Sequence, residues 1–372
     1  MAKMNAEIES FEHLKQVSKI KHTILEKYLP AWEIILGSQR FFGKFNYVDC
    51  YAGAGFHEYN KKKVEGSPII AVRTAIDYLK KHPNKKMTIT LIEKDKNQFA
   101  SLEKALKSVQ PYPPNLTVDP KAGDSTVIVP NLLEADKGSE PTFFLVDPYG
   151  HPLTIPILND MLSRKHNEAL INFMFYMINR DVDNPKVVER LNKMFGNEEW
   201  QKQEFRRYGG PEREEGLLEY FKNCIIARYK LHFRVRFDLE DNVRNRGTKY
   251  YLIHASNHVR AALLMKAVMW RLGDQEGIFD YSGSAQGILF SSSPTEEELR
   301  NYLLKNFAGR ELTFDGIREE TWNIPFIEKH YRAVIQQLEK EDLAKIKRVS
   351  SKESGLKRKD LVYILPYKYE NP

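Results

Sequence analysis

The spacing of apolar residues along the chain predicts alternating helices and strands. Between residues 11 and 36 the apolar positions recur every three to four residues, which predicts a helix that Pro30 interrupts near its end. Beyond it, continuous apolar stretches separated by amphipathic ones indicate parallel strands covered by helices. The predicted strands are residues 45–49, 87–92, 116–118, 142–146 and 169–175, and the predicted helices among them are residues 67–81 and 95–109.

Residues 183–222 break this alternation. They are polar and carry the loop Tyr208-Gly209-Gly210-Pro211, so we expect a helical insertion. Residues 231–237 and 250–255 then alternate or run apolar on either side of a polar link, as the two strands of a β-hairpin do. The parallel sheet is therefore predicted to end in an antiparallel pair.

After residue 294 the composition changes, and the pattern predicts a second fold. Helices followed by a basic hairpin are the order of a winged helix-turn-helix. The predicted elements are helices over residues 295–306, 315–322 and from Pro325 onward, an extended piece over 311–314, and strands over 343–349 and 359–365. On the third helix the face expected to be buried consists of Ile327, Tyr331, Val334, Ile335 and Leu338.

At 372 residues the chain is too long for one ordinary core. We expect an N-terminal helical segment (1–40), an α/β domain (41–294) and a winged-helix domain (295–372). No apolar run approaches the length of about 20 residues that a membrane helix needs, and the N-terminus does not resemble a secretion signal. The two cysteines, Cys50 and Cys224, are too few for a disulfide framework. A cytoplasmic location is expected.

The net charge of +7 is concentrated in one segment. Residues 345–359 carry seven basic side chains against the single acid Glu353. Such a local stripe suits a phosphate backbone. A solvated lysine-rich face is the alternative.

The segment from Asp49 to Gly55 directly follows an apolar strand and contains two glycines. Gly53 and Gly55 would let the backbone turn tightly and approach a ligand closely. Asp49, at the strand end, is placed to take a ligand's amino group, and Tyr51 lies in the same loop. An ordinary tight turn is the alternative.

Three further acids end successive strands, where open α/β sheets bind ligands. Glu93 follows the second strand of the Rossmann order, where an acid receives ribose hydroxyls. Asp124, after Gly123, lies where an acid contacts an adenine amine, and Asp147 ends the fourth strand. Singly, each is more often a helix cap or a solvated loop residue. Their order along the chain favours a nucleotide-type cofactor.

The segment Asp147-Pro148-Tyr149 resembles the Asp/Asn-Pro-Pro-Tyr loop of amino methyltransferases. In those enzymes the acid and a proline carbonyl accept hydrogen bonds from the target NH₂, and the aromatic ring stacks on a flipped base. The resemblance implies that Asp147, Pro148 and Tyr149 act on the methyl acceptor. Gly150 stands where the pattern ends, and one proline replaces two, which puts an exocyclic amine target in doubt.

The resemblance extends to a family. The chain is similar to the three-Cys-motif partner (TcmP) family over roughly residues 15–365, with closer similarity in the first 175. The similar runs are Ile20–Trp32, Tyr47–Gly55, Gly66–Pro68, Val146–Gly150 and Ile171–Phe173. This family is methyltransferase-like, and its members' genes lie beside those of a three-cysteine, radical-SAM-like protein. The resemblance implies a class I fold that binds S-adenosylmethionine (SAM), a C-terminal winged helix and that partner protein.

Seven residues of the tail are candidates for nucleic-acid binding. The acids Glu328 and Glu339 on the same helix face count against tight DNA reading, and winged helices also bind proteins. The candidates are Lys329, Arg332 and Gln336 on the third helix, and Arg348, Lys352, Lys357 and Arg358 in the wing.

Other chemistry-bearing residues carry weaker signals. His22, His57 and His151 lack the helical spacing of metal ligands, and Ser67 and Ser284 lack a nucleophile elbow. The sequence therefore predicts a Rossmann-like class I methyltransferase sheet with a helical insertion and a C-terminal winged helix-turn-helix. The predicted function is SAM-dependent methylation of DNA or RNA; the alternative is a non-catalytic module that senses SAM and binds DNA or a protein partner.

Overall fold

The computed structural model describes residues 2–59, 62–135, 140–150, 153–236, 247–273, 279–281, 294–349 and 355–366. The chain divides into two compact units. The first comprises Met1–Ala262 and Asp280–Ala285, and the second comprises Leu263–Phe279 and Gln286–Pro372. Among the described residues no helix is both long and apolar enough to cross a membrane.

The first unit alternates helices and strands, and α9 continues from it into the second unit. Its short 3₁₀ turns are Pro185–Val187, Glu199–Lys202 and Glu204–Arg207. The elements are α1 (Ala2–Gly37), β1 (Lys44–Asp49), β2 (Phe56–Tyr59), β3 (Lys62–Glu65), α2 (Ser67–Leu79), β4 (Lys86–Glu93), α3 (Lys96–Lys107), β5 (Leu116–Ala122), α4 (Ser125–Ala135), β6 (Thr142–Val146), α5 (Ile155–Ser163), β7 (Glu168–Phe173), α6 (Phe175–Asp181), α7 (Val188–Phe195), α8 (Gly210–Cys224), β8 (Tyr229–Arg236), β9 (Thr248–Ser256), α9 (Val259–Leu272) and β10 (Asp280–Tyr281).

The central sheet has the strand order β5–β4–β1–β6–β7–β9–β8–β10. Strands β5, β4, β1, β6 and β7 pair in parallel, whereas β9 runs antiparallel between β7 and β8. This is the Rossmann-like class I methyltransferase sheet that the sequence predicts, with the antiparallel pair at the expected side. Because the carboxyl ends of the parallel strands share one edge, that edge is where a ligand site forms.

Burial follows the apolar patterns that predict the strands. Every residue of β6 and β7 is buried, which explains why both strands read as continuous apolar runs. The one acid in β7, Glu168, accepts a hydrogen bond from the Tyr28 hydroxyl of α1 at 2.5 Å, and its Oε2 lies 2.7 Å from Nε2 of His254 in β9. These buried contacts attach α1 to the sheet.

The predicted insertion over residues 183–222 consists of short helices, as expected. Its sparse apolar residues nevertheless enter the main core, where Trp200, Leu217 and Phe221 are fully buried. The segment is polar in composition because its helices have exposed faces, although their few apolar residues pack on the sheet.

The second unit contains the winged helix that the sequence predicts. In its three-stranded antiparallel sheet, β13 (Leu361–Ile364) lies between β11 (Glu311–Thr313) and β12 (Ala344–Lys347). The five residues predicted to face inward on the third helix are all buried, as expected; Ile327 caps α12 (Glu328–Lys340), and the other four lie on it. The elements are α10 (Glu296–Phe307), β11 (Glu311–Thr313), α11 (Phe314–Glu320), α12 (Glu328–Lys340), β12 (Ala344–Lys347) and β13 (Leu361–Ile364).

Candidate cofactor and acceptor site

The loop after β1 adopts a conformation that requires glycine. Gly53 has φ +64° and Gly55 has φ +84°, a region that side-chain-bearing residues rarely adopt. A Cβ on Gly55 would also lie 2.8 Å from the Cβ of Ala105 in α3. The glycines thus allow a tight turn at the carboxyl end of β1 and close packing of α3 beneath it.

Glu93 connects this loop to the end of β4. Its Oε2 accepts a hydrogen bond from the Gly53 amide at 2.8 Å, and its Oε1 accepts one from the Asp95 amide at 2.7 Å. A carboxylate has about four acceptor positions, so two stay available. Glu93 is therefore fixed in orientation, is partly exposed and can still accept hydrogen bonds from a ligand.

Asp49 lies deeper than the sequence suggests. Its side chain is completely buried and accepts hydrogen bonds from the Ser67 hydroxyl at 2.6 Å and the Tyr51 amide at 3.1 Å. Burial raises the pKa of this carboxyl to about 7, against the opposing effect of those donors. In this conformation Asp49 organises the loop from below, and its predicted contact with a ligand's amino group stays a prediction.

Tyr51 packs its ring against the hydrophobic core, and burial raises the pKa of its hydroxyl. It supports the loop through its amide, which donates to Asp49. A direct contact of Tyr51 with a cofactor stays a prediction.

Asp124 serves as a helix cap. Its Oδ1 accepts hydrogen bonds from the Thr126 amide at 2.9 Å and hydroxyl at 2.7 Å, which places it at the start of α4. Its Oδ2 lies 2.7 Å from Lys94 Nζ, and this pair, with the two bonds from Thr126, lowers the pKa of Asp124 to about 2. Taken singly, an acid in such a position is more often a helix cap, and Asp124 has that role here. Its contact with an adenine amine stays a prediction.

Asp147, at the end of β6, has two partners that sequence reasoning missed. Lys21 Nζ of α1 lies 2.7 Å from Oδ1 and 2.6 Å from Oδ2, and Asn172 Nδ2 at the end of β7 donates to Oδ1 at 2.7 Å. The side chains of Lys21 and Asp147 are only 13% and 20% exposed. Both partners lie within sequence runs that resemble the TcmP family, which is the only signal that could have identified them.

Asn172 also carries an unsatisfied acceptor. Its Oδ1 is buried with no hydrogen-bond partner among the described residues, while its Nδ2 is used by Asp147. Buried acceptors normally find a donor. Asn172 and Asp147 thus form an acceptor-rich corner at the carboxyl ends of β6 and β7.

The remainder of the Asp147 loop exposes an aromatic ring. Pro148 is buried, whereas the Tyr149 side chain is 89% exposed. Gly150 has φ +120°, so the glycine that departs from the amino methyltransferase pattern is required by the backbone of this turn.

Other candidates from the sequence have structural roles or lie outside the described residues. The rings of His22 and His57 stack with centroids 5.7 Å apart, and burial next to Lys21 lowers the pKa of His22 to about 4. Ser67 bonds to Asp49. His151, Ser284 and Lys352 are outside the described part of the chain.

The predicted arginines of the winged helix are paired within that unit. Arg332 lies 2.5 Å from Glu328, Arg358 lies 3.5 Å from the same acid, and Arg348 lies 2.6 Å from Glu339. Glu328 and Glu339, the two acids that count against DNA binding, therefore pair with the three arginines predicted to contact nucleic acid.

The remaining predicted residues of the winged helix differ in exposure. Lys329 is exposed with its ammonium 4.3 Å from the centre of the Trp270 ring, and Gln336 is half-buried. Lys357 is exposed on the segment before β13, and β12 exposes Lys345 and Lys347 on one face. The exposed basic side chains of this unit therefore include Lys329, Lys345, Lys347, Lys357 and Arg358.

A comparison with protein families finds a match in the second unit. The family model of the GMT-like wHTH domain matches residues 279–350. A comparison with curated protein sequences finds no match.

Among solved structures, a Legionella pneumophila protein of the family DUF519 is 13% identical, with 65% of this chain and 85% of that chain covered and a TM-score of 0.39. MNMC2 from Aquifex aeolicus is 11% identical over 64% and 61% of the two chains, with a TM-score of 0.30. Loganic acid methyltransferase with SAH is 10% identical over 94% and 95%, with a TM-score of 0.24. Since none of these TM-scores reaches 0.5, no inference about the chain rests on them.

Proposed function

We propose that the protein is a SAM-dependent methyltransferase that acts on nucleic acid. The observation that carries this proposal is the hydrogen bond between the Gly53 amide and Glu93, at the carboxyl ends of the adjacent strands β1 and β4. It joins a glycine turn to a carboxylate with free acceptor positions, at the edge where a class I sheet receives its cofactor.

The residues at this edge suit SAM in chemistry. Glu93 would accept hydrogen bonds from the ribose hydroxyls, and the turn at Gly53 and Gly55 would admit the cofactor's chain close to the backbone. When bound, SAM supplies a methyl group already activated on sulfur, so the protein needs to contribute placement.

Asp147 and Asn172 would hold the methyl acceptor. Lys21 places an ammonium on the Asp147 carboxylate at 2.6–2.7 Å, as an acceptor's amino group would be held. In the proposed mechanism the acceptor nitrogen displaces Lys21, donates one N–H to Asp147 and the other to the unsatisfied Oδ1 of Asn172. The Asp147 carboxylate then takes the proton released on methylation.

Nucleic acid as the substrate is supported by two features. Tyr149 presents an almost fully exposed ring beside Asp147, which suits stacking against a flipped or single-stranded base. In the second unit the exposed lysines would contact phosphates. Arg348 and Arg358 would exchange their carboxylate partners for phosphates at small cost, because exposed ion pairs contribute only about 0–1 kcal/mol.

The test is radiolabel transfer from SAM to DNA, RNA and protein by the full chain, alongside calorimetric titration of SAM. Asp147→Asn should abolish transfer while SAM binds as before. Lys345→Ala combined with Lys347→Ala should weaken binding of duplex DNA. The slope of log affinity against log salt should fall by about 0.9 for each phosphate that the variant no longer neutralises. Transfer that survives Asp147→Asn contradicts the proposed role of that residue.

A second candidate function is a non-catalytic module that senses SAM and binds DNA or a protein partner. The ion pair of Lys21 with Asp147 favours it, because an internal cation already satisfies the carboxylate. SAM binding without transfer to any substrate would support this function over methylation.

Membership of the TcmP family, with its three-cysteine, radical-SAM-like partner, is a proposal that rests on the resemblance of the sequence. Co-purification of the two proteins, with and without SAM, is the test. Failure to associate under both conditions would leave the protein to act alone.

A further inference from the structure

We infer that a groove between α1 and α2 of the first unit binds a small organic cation with N–H donors, an alkylammonium or guanidinium compound. The groove has a volume of about 320 Å³, within the range of small-ligand sites. It lies among residues that neither the cofactor site nor the acceptor site uses.

Glu33 of α1 is the principal observation. The residue is only 1% exposed, and both of its carboxylate oxygens are buried without a hydrogen-bond partner among the described residues. The Tyr78 hydroxyl of α2, which lines the same groove, is also buried and unsatisfied among these residues. Buried polar groups are normally paired, so the unmet Glu33 oxygens and Tyr78 hydroxyl in one groove indicate a missing hydrogen-bonding partner.

The charges of the lining favour a cation, since four acids line the groove with only two strong bases, Arg73 and Lys81. Glu26 and Asp77 line the groove with Glu33, and the charge of Asp77 acts on Glu33. Glu65 is already bound by Arg73 at 2.8 Å, which removes that arginine as a partner for Glu33. An ammonium or guanidinium group on the ligand would supply both the charge and the hydrogen bonds.

The residues that line the groove suit an organic cation better than a metal ion. In the described part of the chain no group of three or more His, Cys, Asp or Glu side chains could hold a metal. The groove walls include Pro30, Ile34 and Ile70, against which a short alkyl chain would pack.

Binding should release a proton near neutral pH. Burial and the nearby Asp77 raise the pKa of the empty Glu33 to about 9, and a cation would stabilise the ionised form. The other titratable groups that line the groove are Glu26 on α1 itself and, from the elements packed against it, Glu65, Arg73, Asp77, Tyr78, Lys81 and His82.

The experiment is calorimetric titration of the full chain with agmatine, which carries an ammonium and a guanidinium on one alkyl chain. We expect saturable binding, with heats that differ between buffers of different ionisation enthalpy because a proton is released. Glu33→Gln, which keeps the shape but cannot ionise when the cation binds, should weaken binding at least tenfold. Glu103→Gln on the exposed face of α3 is the matched control and should bind as the parent does.

Melting temperatures separate a ligand site from a structural carboxylate. Glu33→Gln should melt at the same or a higher temperature than the parent, because it removes a buried acid without partners. Agmatine should raise the melting temperature of the parent but not that of Glu33→Gln. The inference is overturned if the parent does not bind agmatine at millimolar concentration, which means a groove filled by water only. It is also overturned if Glu33→Gln binds equally well or melts lower, or if Mg²⁺ binds in agmatine's place.

Discussion

The ion pair between Lys21 and Asp147 offers the sharpest test of how the acceptor site is held. At the observed N–O separations of 2.6 and 2.7 Å the attraction is about 6 kcal/mol for an effective dielectric constant of about 20. Because both side chains keep some exposure, solvent screening should reduce this attraction to about 2 kcal/mol, and the desolvation cost of each separate ion cancels in a double-mutant cycle. The expected net coupling is therefore about 2 kcal/mol.

A double-mutant cycle with Lys21→Met and Asp147→Asn measures this coupling by urea unfolding. Replacing Trp270 and Trp322 by Phe leaves tryptophans only in the first unit, so fluorescence then follows that unit alone. Each single change should destabilise it by about 2–4 kcal/mol because it leaves the other ion without its partner. The double variant should lose about 2 kcal/mol less than the sum of the two.

A coupling below about 0.5 kcal/mol would refute the reasoning, since that is the magnitude of a solvent-screened surface pair. The same variants distinguish two roles for Lys21 once an acceptor is known. If the acceptor displaces Lys21, Lys21→Met should lower KM several-fold, because Asn172 still orients Asp147. A higher KM together with a lower kcat would mean that Lys21 positions Asp147.

Three further predictions concern other parts of the molecule. Glu93→Gln should weaken SAM binding about ten- to a hundredfold in calorimetry, since an unmet ribose hydroxyl costs about 1–3 kcal/mol, whereas unchanged affinity contradicts the placement. Tyr149→Ala should raise KM for a nucleic-acid acceptor without affecting SAM binding; equal KM values would exclude stacking. Burial lowers the pKa of Lys266 from 10.5 to about 7 in the folded second unit. Between about pH 7 and pH 10.5 the unfolded chain therefore binds a proton that the folded unit lacks. The free energy of unfolding of this unit should rise with pH over that range. In urea unfolding Lys266→Met should abolish that rise and add about 1–4 kcal/mol below pH 7, and a Lys266→Met variant with the parent's pH dependence would contradict the assignment.

Much of the sheet could be predicted because its strands are buried on both faces. In β6 and β7 every residue is buried, so the apolar run itself marks the strand. The glycine turn after β1 was also predictable, since its left-handed conformation requires glycine at Gly53 and Gly55.

The elements that the sequence did not predict lack such patterns. Strands β2 and β3 form a two-stranded pair of four residues each, in which Lys62, Lys63 and Val64 are all exposed. Helix α4 contains Pro130, and α5 is only nine residues long. Short or interrupted segments give too few turns for a helical period to be recognised.

The partners of the site residues were beyond prediction for another reason. Lys21 and Asp147 are 126 positions apart, and their contact depends on how α1 packs beside β6. The sequence shows the type of each residue and where each strand ends. It does not show which of the many possible partners a charged residue on a helix contacts. Asp124 illustrates the limit, because its position agrees with both a cap and a cofactor contact, and the bonds to Thr126 reveal only the former.

Helix α1 brings together the proposals for the first unit. Lys21, Tyr28 and Glu33 are all largely buried, although each is polar. Lys21 has Asp147, and Tyr28 has Glu168, so burial of each is compensated by a strong hydrogen bond. Glu33 is buried to the same degree without such a partner among the described residues. Because the same helix satisfies two of its polar residues so completely, the third is better explained by a ligand than by loose packing.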